Sequence, residues 1–357
     1  MGLPRFNSKI NVQWSFLLLM TLFACSEVID LNVGPQQEQL VIFGRVTDGL
    51  AGNEVWLAQT SPVDGQQAPV TGSTVTLLED GNAIGEYLEF EEGRYRLDLQ
   101  GDSARTGRNY ALRVQLRDGR EYLSPAQVMP ALMAVDSIYF DANTVETVVN
   151  QAGVTVTQNR ASVLADTRIL DPEQDTFLKW HLTSAYIFEE RRRICPTCPP
   201  PPCYVINDIT PQQMLLFDGR TLKVPEIRRQ EMLSEVIDSR FALAFYFQVI
   251  QLTMSEAAYD YFALIDQISN LQGSIFDTPS APVPGHFSNV NDPDEEVLGF
   301  FEVVRADTTR IRIRSDDLDF FVDIPCPGLP PGATEPDACT NCRLIPNSTL
   351  VRPYYFE

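Results

Sequence analysis

Apolar and polar residues alternate along most of the chain after residue 39, which is the pattern of strands that bury one face. In "EGRYRLDL", apolar residues stand at every odd position from Tyr95 to Leu99, and charged residues stand at every even position from Arg94 to Asp98. Similar stretches, "LVIFGRVTD" and "NEVWLAQTSP", come before it. The pattern predicts a mainly β protein.

Tight turns separate the strands in residues 39–130. "GSTVTLLEDGNAIGEYLEF" alternates around Asp80-Gly81-Asn82, and "NYALRVQLRDGREYLSPA" turns at Asp118-Gly119, a pair favoured in two-residue hairpin loops. Six or seven short strands within about ninety residues predict an N-terminal Ig-like or transthyretin-like β-sandwich. Through "GSTVTLLEDG" and "GRYRLDL", this part resembles the carboxypeptidase-regulatory-like β-sandwiches.

A second, larger β-rich domain is predicted over residues 135–357. Its strand segments are "RASVLADTRIL", "DTFLKWHLTSAYIFEE" and "QQMLLFDGRTLKV". The segment "SRFALAFYFQVIQL" is apolar on both faces, which indicates a strand that lies between two layers. "VLGFFEVVRADTTRIRIR" predicts a closing hairpin around Ala306-Asp307.

One main α-helix is predicted at about 254–272, in "TMSEAAYDYFALIDQISNLQG". Thr253 and Glu256 have the spacing of a capping box, and Gly273 stands where a C-terminal cap is expected. Apolar residues at helical spacing predict a face that packs on the core: Ala258, Tyr261, Phe262, Ile265 and Ile268.

The N-terminus has the features of an exported lipoprotein. Arg5 and Lys9 precede an apolar run of about ten residues, which suits a signal peptide and is too short to span a bilayer. The run ends "LFAC", so residues 1–24 are predicted to be a signal peptide and Cys25 to be the lipid-attachment residue. Residues 25–38 would then be a short tether. The alternative is an ordinary secretory signal with a chance cysteine.

The charge argues against one class of partner. The net charge of −21 becomes −23 once Arg5 and Lys9 leave with residues 1–24. Such an acidic chain is not expected to bind nucleic acid or anionic lipid surfaces.

Six of the seven cysteines remain once Cys25 carries lipid. In an exported chain an even set indicates disulfides, and sequence alone leaves the connectivity open. The six disulfide candidates are Cys195, Cys198, Cys203, Cys326, Cys339 and Cys342. Two C-x-x-C pairs leave zinc or a redox dithiol as alternatives, but prolines follow Cys198 where a redox motif would begin a helix.

Motifs for catalysis are missing from the sequence. It contains only two histidines, His181 and His286, and no nucleophile elbow, zinc-protease motif or P-loop. We therefore predict no catalytic residues, no cofactor and no metal. The best calcium candidates are the acidic residues of "SNVNDPDEE", namely Asp292, Asp294 and Glu295, although their spacing matches no EF-hand.

Several segments together resemble the bacterial lipoprotein family called domain of unknown function 4249. They are "CSEVIDLN", "LVIFGRVTDG", "GSIFDTPSAPVPGHFSNVNDPDEEVLGFFEV" and "CTNCRL". The resemblance implies an outer-membrane lipoprotein that works beside TonB-dependent transporters, with no known enzyme activity. It also implies that Cys195 and Cys198 are an extra pair, which would suit a local bridge. Whether they close on each other and leave Cys203 to reach the C-terminal cysteines stays open from the sequence alone.

The predicted function is that of a non-enzymatic binding module, lipid-anchored in the Gram-negative outer membrane on its cell-surface or periplasmic side. The predicted partner is a TonB-dependent β-barrel transporter in nutrient uptake. One alternative is a structural or adhesive envelope lipoprotein; another is a hydrolase or a thiol oxidoreductase.

Overall fold

A computed structural model describes residues 38–48, 52–61, 67–97, 104–149, 153–191, 202–211, 213–271, 283–327, 332, 334 and 336–356. Residues Gln39–Glu357 form one compact unit. Residues 1–37, with the predicted signal peptide and Cys25, lie outside the described ranges. Within those ranges, no helix combines the length and the apolar character needed to cross a bilayer.

The first nine strands build a sandwich, as the alternating pattern predicts. They are β1 Leu40–Thr47, β2 Glu54–Thr60, β3 Gln67–Pro69, β4 Thr74–Glu79, β5 Asn82–Glu91, β6 Arg94–Arg96, β7 Asn109–Gln115, β8 Glu121–Leu123 and β9 Gln127–Val128. The first part of β5 pairs with β4 and its last part pairs with β6, so this strand passes from one sheet to the other. Both predicted hairpins are present, β4–β5 and β7–β8.

The sandwich core is filled by one side of each strand. Ile42 and Val46 of β1 pack with Val55 of β2 and Leu112 of β7, all almost fully buried. Burying these side chains supplies the main free energy for this part of the fold. Residues from much later in the chain complete the core: Phe287, Val297, Phe301 and Val303.

Ten further strands follow in the second region. They are β10 Val135–Val149, β11 Thr155–Arg168, β12 Phe177–Glu189, β13 Pro202–Ile209, β14 Leu215–Asp218, β15 Glu226–Val236, β16 Phe245–Met254, β17 Ser288–Asn289, β18 Phe301–Ile313 and β19 Ser348–Thr349. Strands β10, β11 and β15 form a separate antiparallel sheet. The other strands of this region extend the sandwich sheet in the order β1-β18-β16-β12-β13-β19, with β14 on β12 and β17 on β8.

Strand β18 joins the two regions. Its first residues pair in parallel with β1, and its later residues pair antiparallel with β16. The predicted hairpin around Ala306-Asp307 is therefore wrong, because both residues lie inside this continuous strand, opposite Leu252 and Gln251 of β16. The local alternation is the same in a hairpin and in one long strand, so only the partner strands decide between them.

Strand β16 lies between two layers, as its two apolar faces predict. Phe247 and Val249 pack with β11 residues of the three-stranded sheet, while Leu252 and Met254 pack beneath the helix. The strand begins later than predicted, because Ser239–Phe241 form a 3-10 turn. Three more 3-10 turns cover Ser315–Asp317, Asp337–Cys339 and Cys342–Leu344.

The helix, α1, spans Glu256–Leu271, and its apolar face packs against β12, β16 and β18. The predicted capping box is wrong in its first residue. Thr253 belongs to β16, where its hydroxyl accepts a hydrogen bond from the Met133 N–H at 3.1 Å. The Ser255 hydroxyl instead accepts from the Ala258 N–H at 3.2 Å, which is the N-cap contact. Gly273 lies outside the described residues.

Candidate functional site

A row of alternating charges crosses the outer face of the sandwich sheet. Because Ile42, Val55 and Phe301 point into the core, the residues next to them point outward. The order of the row is Arg96, Glu54, Arg45, Glu302 and Lys179. Arg96 Nη2 lies 2.6 Å from Glu54 Oε1, Arg45 Nε 2.7 Å from Glu302 Oε2, and Lys179 Nζ 2.6 Å from Glu302 Oε1.

Strand register brings these residues together. Arg45 of β1 is directly opposite Glu302 of β18, and Glu54 of β2 is opposite Arg96 of β6. A shift of one residue in either pair would turn one partner into the core. The row is therefore a consequence of the same pairing that forms the sandwich.

The centre of the row is buried. The Glu302 side chain is 7% exposed and Lys179 is 12% exposed, whereas Arg45 is 36% exposed. Burial alone would raise the pKa of Glu302, but the charges of Arg45 and Lys179 outweigh it and hold that pKa at about 2. Burial lowers the pKa of Lys179. The negative charge of Glu302 raises that pKa and the positive charge of Arg45 lowers it, so the shared carboxylate offsets the effect of burial only in part.

Aromatic side chains stand beside the charges. The Phe43 ring is stacked near the Trp56 ring, with centroids 6.2 Å apart, and Tyr261 of α1 approaches Phe43 edge-on at 6.3 Å. Lys179 Nζ lies 3.3 Å from the centroid of the Phe262 ring, a cation–π contact. Helix α1 thus supplies two of the four rings.

Most of these charged and aromatic side chains, although not Arg96 or Tyr261, line a cavity of about 310 Å³. Arg45, Glu54, Trp56 and Arg94 come from the sandwich, and Phe262 comes from the helix. The volume is at the lower end of the range for small-molecule sites. Burying a charge costs free energy. Buried charges that line a cavity are therefore a common feature of functional sites, where binding or chemistry needs them.

The cavity has cationic groups available for a ligand. Arg45 uses Nε for Glu302, and its two η nitrogens have no hydrogen-bond partner within the described ranges. Arg94 is 53% exposed and lies 3.6 Å from Glu91, longer than a hydrogen bond. Glu54 and Glu302 are both engaged by arginine or lysine. The hydrogen-bond donors that remain available in the lining therefore belong to positively charged side chains.

A second cavity, of about 390 Å³, lies between the three-stranded sheet and the segment around Asp317. Its ionisable lining includes Arg229, Asp317 and Asp319, all of which are exposed. Asp317 also accepts a hydrogen bond from the Arg314 N–H. This cavity is larger, but Arg229, Asp317 and Asp319 are exposed, so the smaller cavity, with its buried Lys179–Glu302 pair, is the stronger candidate.

Four of the six disulfide candidates are bonded in the structure. Cys203 pairs with Cys342 and Cys326 pairs with Cys339, with Cα–Cα distances of 6.0 and 5.6 Å. Cys195 and Cys198 lie outside the described residues, as does Cys25.

Glu190 lies beside the Cys203–Cys342 disulfide, and the three side chains are close enough to form a metal-ligand set. However, the two sulfurs are bonded to each other, so neither is a thiolate that could ligate zinc. Glu190 Oε1 accepts a hydrogen bond from the Cys342 N–H at 2.7 Å.

The calcium candidates are not gathered as ligands. Glu295 accepts hydrogen bonds from the Tyr122 hydroxyl at 3.0 Å, from Arg120 Nη1 at 3.3 Å and from the Asn289 amide. Its oxygens are therefore directed at donors. In the part of the chain that the structure describes, neither Asp292 nor Asp294 belongs to a group of three possible metal ligands.

Neither histidine lines the 310 Å³ cavity that contains Arg45, Lys179 and Glu302. His181 Nε2 is 3.5 Å from Asp208 Oδ1 on the adjacent strand. His286 stacks on Phe300 with ring centroids 4.5 Å apart, and burial lowers its pKa.

Sequence analysis missed the site residues Arg45, Lys179 and Glu302. A signal for two of them is present, since "TFLKWHL" and "GFFEVV" each place one charged residue within an otherwise apolar strand. A charge at such a position must find a partner or remain costly to bury. The partner cannot be identified from either segment alone.

A family model described as Domain of unknown function (DUF4249) matches residues 26–310 of the chain. All residues of the charged row fall within the matched segment. Neither the curated proteins nor the solved structures contain a match to the chain.

Proposed function

The chain belongs to the family described as Domain of unknown function (DUF4249), and we propose that it is a lipid-anchored binding protein of the outer membrane. Its binding site is the cavity lined by Arg45, Trp56, Arg94, Lys179 and Phe262, which we call the Glu302 cavity after the buried carboxylate in its lining. The buried Arg45–Glu302–Lys179 cluster is the observation that carries the proposal.

The cluster suits binding better than a purely structural role. Replacing a buried ion pair with apolar side chains is often neutral or stabilising, so a fold gains little from a triad beside an open cavity. Here Lys179 and Glu302 lie at the wall of a cavity that also holds aromatic faces and available arginine donors. Ligand sites commonly combine apolar walls with a few fixed polar groups.

The anchor and the partner complete the proposal. "LFAC" at the end of the apolar run supports lipid attachment at Cys25. An acidic, lipid-anchored protein with a ligand cavity suits an accessory role beside a TonB-dependent transporter, where it would hold a nutrient before uptake.

Two measurements on the full chain test these proposals. Intact mass spectrometry of the membrane-purified protein should show a diacylated N-terminal Cys25, and C25S should lose it. Affinity purification from detergent-solubilised outer membrane should recover a β-barrel transporter with the tagged wild type. Recovery of the tagged protein alone would overturn the transporter partnership, and an unmodified Cys25 would overturn the anchor.

A further inference from the structure

We propose that the Glu302 cavity binds a small molecule that carries one carboxylate on a ring. This inference rests on the proposed function, since it names the ligand class of the same site. The carboxylate would lie against Arg45 and Arg94, and the ring would lie against Trp56.

The excess of positive charge in the cavity selects an anion. The ionisable lining comprises three cations, Arg45, Arg94 and Lys179, and two carboxylates, Glu54 and Glu302. Glu54 is already engaged by a fourth cation, Arg96, from outside the lining. The local balance is therefore positive in a chain whose net charge is −21, so the cavity differs from most of the surface.

The number of charges favours a carboxylate over a phosphate. Glu302 Oε2 lies 2.7 Å from Arg45 Nε, so a doubly charged phosphate at the same guanidinium would meet about twice the repulsion from Glu302 that a singly charged carboxylate meets. Arg45 has its two η nitrogens available, and a planar guanidinium edge matches the two oxygens of a carboxylate. Lys179 contacts Glu302 and the Phe262 ring, so it would attract the ligand through its positive charge and would not form the main hydrogen bond to it.

Aromatic walls and cavity size favour a ring. Phe43, Trp56 and Phe262 all line the cavity, and the Phe43 and Trp56 rings are nearly parallel, 12° apart. Such flat apolar surfaces pack well against an aromatic ring or against the apolar face of a sugar. A volume of about 310 Å³ accommodates one ring with its substituents and excludes long chains.

Calorimetric titration of the purified full-length protein tests this ligand class. The probes are benzoate with its neutral analogue benzyl alcohol, and glucuronate with its neutral analogue glucose. We expect at least one acid to bind at least about tenfold more tightly than its neutral analogue, because it adds charge-assisted hydrogen bonds. Which acid binds distinguishes an aromatic acid from a sugar acid. Added salt should reduce the preference.

Two arginine variants locate the binding. R94Q removes an exposed cation that lines the cavity, and we expect the acid to bind about tenfold more weakly while its neutral analogue is unchanged. R168Q is the matched control, since Arg168 is also an exposed strand arginine, 3.4 Å from Asp136, and lies outside the cavity lining. It should bind like the wild type.

Three results would overturn the ligand class: neither acid binds, both acids bind no better than their neutral analogues, or R168Q loses as much affinity as R94Q. None of these results affects the mass of Cys25 or the recovery of a transporter. Failure of the ligand class is therefore distinguishable from failure of the proposed function.

Discussion

Glu302 and Lys179 form an ion pair of 2.6 Å between β18 and β12, two strands that are separated in the sheet by β16. Glu302 also bonds Arg45 on β1, which pairs with β18 on the side away from β16, so one carboxylate connects the sandwich to the second region. Removing this carboxylate alone should therefore be costly, because both of its cationic partners would lose their counter-charge.

Substituting E302Q should lower the free energy of unfolding by about 3–5 kcal/mol, because it leaves the buried Lys179 and the partly exposed Arg45 without their counter-charge. Urea denaturation followed by circular dichroism measures the change. E54Q is the matched control, since Glu54 is 41% exposed and its pair with Arg96 should contribute at most about 1 kcal/mol. Equal effects of the two substitutions would show that burial of the pair is energetically unimportant.

Stability should depend on pH through Glu302. Its pKa is lowered from 4.5 to about 2 by Arg45 and Lys179, so the folded state binds this proton less readily than the unfolded state. The contribution, about 3 kcal/mol, is fully present above pH 4.5 and is lost as the pH falls toward 2. The wild type should therefore lose more stability over this range than E302Q. Parallel curves for the two proteins would contradict the assignment.

The helix cap should be sensitive at Ser255. S255A removes the acceptor of the Ala258 N–H and the donor to Gln127 Oε1, and should cost about 1–2 kcal/mol. E256Q is the control, because Glu256 is 56% exposed and contacts Arg220, which has two other carboxylate partners. Thermal unfolding measures both. A larger loss of stability in E256Q than in S255A would contradict this assignment and support the capping box predicted from the sequence.

The two disulfides should differ in their effect on stability. Cys203 and Cys342 are 139 residues apart, whereas Cys326 and Cys339 are 13 apart. In the chain-entropy view the longer loop contributes about 5 kcal/mol and the shorter about 3 kcal/mol. C203S/C342S should therefore unfold at lower urea than C326S/C339S. The reverse order, or peptide mapping that links other cysteines, would contradict the pairing.

Local pattern was sufficient to predict the individual strands. Ile42 and Val46 alternate with Phe43 and Arg45, and this alternation requires no knowledge of the partner strand. The errors occurred where local pattern is ambiguous. Both Thr253 and Ser255 suit an N-cap, and the end of β16 at Met254 decides between them. Likewise, Ala306 could begin a turn, but β16 offers it a continuous partner.

By itself the sequence determined the β-rich class, the position of the helix and the family, because each depends on residues close together in the chain. Only the tertiary structure decided the site. Arg45, Lys179 and Glu302 are far apart in sequence and become neighbours through the register of strands around β18. An apolar side chain can be buried against many different apolar neighbours, so the local pattern is enough to predict that it is buried. A buried charge needs one specific partner at hydrogen-bond distance, and long-range pairing alone supplies that partner.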